Sequence, residues 1–310
     1  MTVSHGPGNS AYRVGISPDG ARTISSGFDG KLRLADAATG DELLTVHIGG
    51  SFLYCAGFSP DGVYMVGGGK NPRVMLAGTK TRVATLKGHR HNVNNARFSP
   101  DSARVATGSG DSYTPADYTV RVWDVQTGAP QQKVKLPEVV QDLRWVDDDV
   151  IVALAGDALH WIDVTSGAIT ARVALPFSCE SIDRAGSTII AANEYGGGGL
   201  LLDVDTGATI TLAPALPEPK GGLQVMTRRV AAAADGQRFA AGLTYRDYGD
   251  PPEWCIGIVW SASGEELTRF RWRGDFFHDL VFTPDGESII TSDGDGAQRR
   301  WDVARGEQVW

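Results

Sequence analysis

Val93-Asn94-Asn95-Ala96-Arg97-Phe98-Ser99-Pro100-Asp101-Ser102 is the stretch that decides the fold, taken with Thr119-Val120-Arg121-Val122-Trp123-Asp124 further on. Val93, Ala96 and Phe98 before the Ser-Pro-Asp phrase, and Val105 and Thr107 after it, alternate as strand residues do. Proline presets φ at the second position of a turn. The following aspartate supplies a local acceptor, and glycine in this slot gives a permissive backbone. The phrase therefore reads as a tight reversal between two antiparallel strands.

The phrase recurs as Ser17-Pro18-Asp19-Gly20, Ser59-Pro60-Asp61-Gly62 and Thr283-Pro284-Asp285-Gly286. Ala234-Asp235-Gly236 is a degenerate copy, and Asp147-Asp148-Asp149 and Ala185-Gly186-Ser187 fill two further slots. Taking residues 18, 60, 100, 146, 185, 234 and 284 as markers, the steps are 42, 40, 46, 39, 49 and 50 residues. A second phrase, Asp-Val-x-Thr-Gly, follows each first one: Asp124 to Gly128, Asp163 to Gly167 and Asp203 to Gly207, with looser copies at 36–40, 78–82, 261–264 and 302–306. Two reversals plus one at each apex give four strands per unit. Seven such units predict an all-β, seven-bladed β-propeller of four-stranded antiparallel blades, one domain over residues 1–310.

Gly88-His89, the run from Val93 to Asp101, and Thr119 to Asp124 together resemble a WD40 repeat, and Trp301-Asp302 repeats the Trp-Asp ending. The resemblance runs along essentially the whole chain. It is clearest in the second, third and seventh units and eroded in the fourth and fifth. It implies a hydrogen-bonded structural tetrad of His, Ser or Thr, Asp and Trp. Only the third unit offers all four: His89, Thr107 or Ser109, Asp117 and Trp123. The first unit keeps Ser25 and Asp29 but has Ala35 at the Trp position. The last keeps Thr291, Asp295 and Trp301, with His278 placed too late to match well.

Ring closure is expected from both chain ends, because an unpaired outer strand would expose a sheet edge. Met1-Thr2-Val3 is similar to Thr45-Val46, and Glu307-Gln308-Val309 to Glu42-Leu43-Leu44. N- and C-terminal strands are thus expected to pair in the last blade, with either one outermost. The chain stopping at Trp310, on that strand, leaves no expected tail.

Composition limits the function classes. Net charge is −8 and the pI about 5.3. Only short basic pairs stand out, Arg228-Arg229 and Arg299-Arg300, which read as solvated positions, so nucleic acid is not an expected partner. Cys55, Cys179 and Cys255 are odd in number and far apart, without metal spacing, which fits a reducing compartment. The opening MTVSHGPGNSAYR lacks a signal-peptide pattern, and no apolar run has membrane length. A cytoplasmic protein is expected, monomeric alone and without membrane contact. The residue bias and loose repeats point weakly to a bacterial member of the family.

Extra length falls in the loops between second and third strands and between blades, the face such proteins commonly use for partners. Candidate partner-binding residues are Arg90, His91, Asn92, Tyr113, Tyr195, Tyr245, Tyr248, Trp254, Trp272 and Phe276. Tyr and Trp offer large contact area at low entropy cost. Interleaved acids (Asp111, Asp117, Asp247, Asp250, Asp275) suggest a partner with basic and apolar features. The expected function is a protein- or peptide-binding scaffold or sensor.

The alternative is a propeller hydrolase or lyase with a carboxylate or metal site at the channel mouth. No helical His pair, nucleophile elbow or phosphate loop supports it. Gly67-Gly68-Gly69-Lys70 and Gly196 to Gly199 read as turn glycines. Asp293-Gly294-Asp295-Gly296 lacks the later Glu of a calcium loop. His160 reads as a packed strand residue. No catalytic residue, metal or cofactor is assigned.

Overall fold

The computed structural model describes residues 4, 5, 10–50, 52–110, 117–216, 224–246, 254–274 and 276–310, the side chains of residues 224, 245 and 246 excepted. The first sheet contains β1 (Ala11–Ile16), β2 (Arg22–Gly27), β3 (Lys31–Asp36) and β4 (Glu42–His47). The second has β5 (Cys55–Phe58), β6 (Tyr64–Gly68), β7 (Arg73–Leu76) and β8 (Arg82–Thr85). The third has β9 (Val93–Phe98), β10 (Arg104–Ser109), β11 (Thr119–Asp124) and β12 (Pro130–Lys135). The fourth has β13 (Val140–Trp145), β14 (Val150–Ala155), β15 (Ala158–Asp163) and β16 (Ile169–Ala174). The fifth has β17 (Ile182–Ala185), β18 (Thr188–Asn193), β19 (Gly198–Asp203) and β20 (Thr209–Leu212). The sixth has β21 (Gln224–Ala232), β22 (Arg238–Arg246), β23 (Trp254–Ser261) and β24 (Glu266–Arg273). The seventh has β25 (Phe277–Phe282), β26 (Ser288–Asp293) and β27 (Gln298–Asp302). Every sheet is a simple meander in chain order, and the fold is a seven-bladed β-propeller.

Both repeated phrases form the reversals expected of them. In the third sheet Ser99 Oγ donates to Asp101 Oδ1 (2.5 Å) and accepts from Arg104 N (2.9 Å), which fixes the turn from β9 to β10. Ser102, which replaces the usual glycine, takes φ +62°, the left-handed region that costs an L side chain about 1–2 kcal/mol. At the outer reversal Asp124 Oδ1 accepts from Thr127 N (2.8 Å) and Thr127 Oγ1 (2.7 Å), and Gly128 follows at φ +69°. Asp163 with Ser166, and Asp203 with Thr206, repeat this geometry.

The chain's contacts group into two compact units, residues 15–176 and residues 177–310 with 1–14. In the first, apolar clusters fill the space between neighbouring sheets. One joins Val120, Val122 and Leu136 to Leu143, Ile151 and Ile162; another joins Val66, Val74 and Leu86 to Val93, Val105 and Trp123. In the second unit the cluster joins Phe270 and Trp272 to Phe277, Leu280 and Trp301. Polar stitches accompany the packing. Asp183 Oδ2 accepts from Ala232 N (2.9 Å), and Asp279 Oδ2 accepts from Val14 N (3.1 Å).

The seventh sheet is closed by both chain ends, as expected. Among the described residues it has three full strands, and short segments from the two ends meet the outer side of β27. Ser4 bridges Ala297 and Gln308 bridges Trp301. His5 N donates to Gly296 O (2.9 Å) and Val309 N to Arg300 O (2.7 Å). The edge is thus shared between the two ends rather than covered by one full strand. Met1-Thr2-Val3 lies outside the described residues.

Candidate functional site

Among the expected tetrad residues, the third sheet brings four side chains together. Burial pushes the His89 imidazole down to about 4, against the pull of the Asp117 carboxylate. It is therefore neutral near pH 7. Asp117 stays ionised: burial would raise it, but hydrogen bonds from Arg90 N (2.6 Å) and Thr119 Oγ1 (2.7 Å) lower it. A neutral ring beside a carboxylate carries its proton on Nδ1, which donates to Asp117 Oδ2 (3.1 Å). Nε2 then accepts from Thr107 Oγ1 (2.7 Å), and Thr107 Oγ1 accepts from Trp123 Nε1 (2.7 Å). Of the two hydroxyls left open by the sequence, Thr107 occupies this place; Ser109 donates to Asn92 O (2.9 Å). Gly88 fits because an added Cβ would lie 3.2 Å from the Trp123 ring. Asp117 is consumed inside this network and offers no acid to a partner.

The seventh sheet builds a variant. Trp301 Nε1 donates to Thr291 Oγ1 (3.0 Å), as Trp123 does to Thr107. No imidazole joins it. Trp272 Nε1 donates to Asp293 Oδ2 (2.8 Å) instead, with Trp272 centred 5.0 Å from the Trp301 ring. Asp293 is also in contact with Arg299. Burial and a hydrogen bond with Asp295 push Asp293 up to about 8, while Arg299 opposes the rise. Burial would raise Asp295 too, but hydrogen bonds from Asp293 and Arg299 bring it to about 2.

This arrangement corrects one candidate. Trp272 is a strand residue of β24, 7% exposed and stacked in the core, not a loop anchor for a partner. Its indole N–H is held by Asp293 Oδ2 (2.8 Å). The reading of the basic pairs as solvated is also corrected: Arg229 is buried, and Arg299 reaches Asp293 and Asp295. His160 is buried in β15, as read.

The other candidates lie in separate places. Arg90 and Asn92 are exposed and His91 half-buried, between β8 and β9. Trp254 opens β23 at 37% exposure, with the Arg271 and Arg273 guanidiniums each 5.3 Å from its ring centre. Tyr113 and Tyr248 lie outside the described residues, as does the side chain of Tyr245. So do Asp111, Asp247, Asp250 and Asp275.

Phe276 lines a cleft, and Tyr195 stands within electrostatic reach of two of its residues. In the unit formed by residues 177–310 and 1–14, a cleft of about 270 Å³ is lined by Tyr12, Glu180, Arg228, Arg229, Phe276, Phe277 and His278. Tyr12 lies on β1, Arg228 and Arg229 in the middle of β21, and Phe277 and His278 at the start of β25, while Glu180 and Phe276 just precede β17 and β25. Arg228 Nη1 lies 3.3 Å from Glu180 Oε2, and its guanidinium sits 5.7 Å from the Phe276 ring centre. Tyr195, 62% exposed, belongs to the same field: a hydrogen bond with Glu194 raises its phenol, Glu180 raises it further and Arg228 opposes this. Tyr12 and His278 rings are 5.3 Å apart, and Phe276 and His278 6.5 Å. Burial, then the guanidiniums of Arg229, Arg228 and Arg13, push His278 down to about 3.

The cleft thus offers aromatic faces, a neutral imidazole, and one acid–guanidinium pair at its rim. That is equipment for recognition of an apolar anchor with polar neighbours. Among the described residues no group of three or more His, Cys, Asp and Glu side chains is placed to hold a metal ion. Sequence reasoning missed Tyr12, Glu180, Arg228 and His278. Each is a single residue in a different repeat, and only strand order brings them together.

Comparisons with known proteins agree with the repeat reading. The family described as WD domain, G-beta repeat matches residues 80–124, which hold the tetrad's unit. The chain is 23% identical over 229 residues to "Nuclear distribution protein PAC1" of Coccidioides posadasii (strain C735), a match over 72% of this chain and 41% of that protein. The match thus covers about two-fifths of the length of that curated relative. Repeat phrases, sheet topology and these likenesses together support a β-propeller of the WD-repeat type.

Proposed function

We propose that this chain is a protein-interaction scaffold whose cleft at Tyr12, Arg228, Phe276 and His278 seats a segment of a partner protein. The observation that carries the reading is the cleft's makeup. Rings from β1 and from the start of β25 line about 270 Å³, and a half-exposed Arg228–Glu180 pair lies beside them. Aromatic and arginine side chains are the types that dominate interface hot spots. An inserted apolar or aromatic side chain would contact the Tyr12, Phe276 and His278 rings. Glu180 could accept from a backbone N–H or a basic group, and Arg228 could donate to a carbonyl. Likeness to a WD-repeat protein supports the class of function and leaves the partner open.

Three buried cysteines outside any disulfide support a reducing compartment, the cytoplasm being the reading adopted. The test is partner capture by the purified chain against Tyr195→Ala/Phe276→Ala and Arg228→Ala variants. Loss of the same bound proteins from both, with thermal melts unchanged, supports the reading. Undiminished capture by both contradicts it.

A further inference from the structure

The other charged surface lies in the unit formed by residues 15–176, around the second sheet. A groove of about 550 Å³ is lined there by Lys70, Arg73, Arg82 and Lys87, together with Phe52 and Asn92. No acidic side chain lines it. None of the four cations forms an ion pair among the described residues, although the chain as a whole carries −8. In sequence these four are isolated residues spread over positions 70–87. Strand pairing collects them: β7 runs antiparallel to β8, with Arg73 opposite Thr85 and Met75 opposite Arg82. The reading of the basic residues as short pairs alone therefore missed this groove.

Its shape favours an extended ligand over a lone small anion. Arg82 and Lys87 stand five residues apart on one extended stretch, about 16 Å at strand rise. Among the described residues β8 is the outermost strand of its sheet. Phe52 is 49% exposed, held by an edge contact with Phe28 (4.9 Å) and stacking with Tyr54 (6.2 Å). A ring held this way is a pre-set apolar contact. Four cations confined to one groove match a few carboxylates. They are too few, on an acidic chain, to track a nucleic-acid backbone, whose binding scales with the number of phosphates neutralised.

We propose that this groove binds an extended acidic segment of a partner protein, its carboxylates meeting Lys70, Arg73, Arg82 and Lys87 and a neighbouring apolar side chain resting on Phe52. The site shares no residue with the aromatic cleft, so either can fail without the other.

The test uses the full chain and fluorescence anisotropy with three labelled probes: hexaglutamate, hexaglutamate with a central phenylalanine, and an oligothymidylate of similar length. The variant is Lys70→Gln/Arg82→Gln/Lys87→Gln, all three side chains being exposed, so the fold should persist. Both peptides should bind, the phenylalanine peptide more tightly, and the triple variant should weaken both by at least about tenfold. Phe52→Ala should remove the advantage of the phenylalanine peptide. Equal peptide binding by the variant and the parent overturns the site. Tighter binding of oligothymidylate than of either peptide, lost in the triple variant, overturns the assignment to an acidic protein segment.

Discussion

Replacing Thr107 by Val should destabilise this chain by about 3 kcal/mol. Valine has nearly the same shape, so no cavity opens and the effect reports hydrogen bonding alone. The hydroxyl is the middle of a relay: it accepts from Trp123 Nε1 (2.7 Å) and donates to His89 Nε2 (2.7 Å). Its loss leaves a buried indole N–H and a buried imidazole nitrogen without partners, Trp123 and His89 being 0% and 3% exposed. Each orphaned group costs about 1–3 kcal/mol, or about 2–6 kcal/mol for the two. For a chain this long about 3 kcal/mol corresponds to a melting temperature lower by about 5 °C. Urea and thermal denaturation of Thr107→Val beside Thr107→Ser measure it. The serine variant keeps the hydroxyl and should stay within about 1 kcal/mol of the parent, since only a methyl group is lost. A valine variant within about 0.5 kcal/mol of the parent would refute the relay.

Stability should also depend on pH in a stated direction. His89 and His278 titrate near 4 and 3 in the fold and near 6.5 when unfolded, so the unfolded chain binds more protons as pH falls. Their contribution should be complete above about pH 6.5 and decline from there towards pH 3. Asp293, raised in the fold, gives the opposite slope between about pH 4 and 8, so the urea midpoint is read against pH in an Asp293→Asn background; a flat profile there between pH 6.5 and 4 would contradict it. Gly242→Ala should cost about 1–3 kcal/mol, because an added Cβ would lie 2.0 Å from the Phe277 ring; an unchanged denaturation midpoint would refute that packing. Ser102→Val should cost about 1–2 kcal/mol, since a β-branched residue would have to hold φ near +62° and the bond from Asp61 N (3.1 Å) to the serine hydroxyl would be lost.

The fold was legible because its punctuation is local. Ser17-Pro18-Asp19-Gly20 and Asp124 to Gly128 carry their own turn chemistry, so each reversal could be placed without knowing what packed against it. The tetrad was legible for the same reason, since its four residues lie within one repeat. The choice between Thr107 and Ser109 needed the strand register: the pairing of Thr107 with Arg121 and of Val105 with Trp123 sets which hydroxyl meets the indole. Trp272 was misplaced because the end of β24 could not be read; one residue of register separates a loop aromatic from a core one. The aromatic cleft and the basic groove were illegible in principle. Tyr12, Arg228 and His278 come from three repeats, and Lys70, Arg73, Arg82 and Lys87 from a hairpin whose facing residues have no fixed spacing. The meeting of both ends beside β27 was legible because each resembles an outer strand; how they divide that edge was not, because both resemble it equally well.

The measurement that tests the central reading most directly is site-specific photocrosslinking in the native host. Benzoylphenylalanine would replace Tyr195 at the cleft or, as a control, Leu43, which is 54% exposed on β4. The account predicts light-dependent adducts of discrete mass from position 195, absent from position 43 and lost when Arg228→Ala and Phe276→Ala are added. Identical adducts from both positions, or adducts at 195 that persist in the altered cleft, would contradict it.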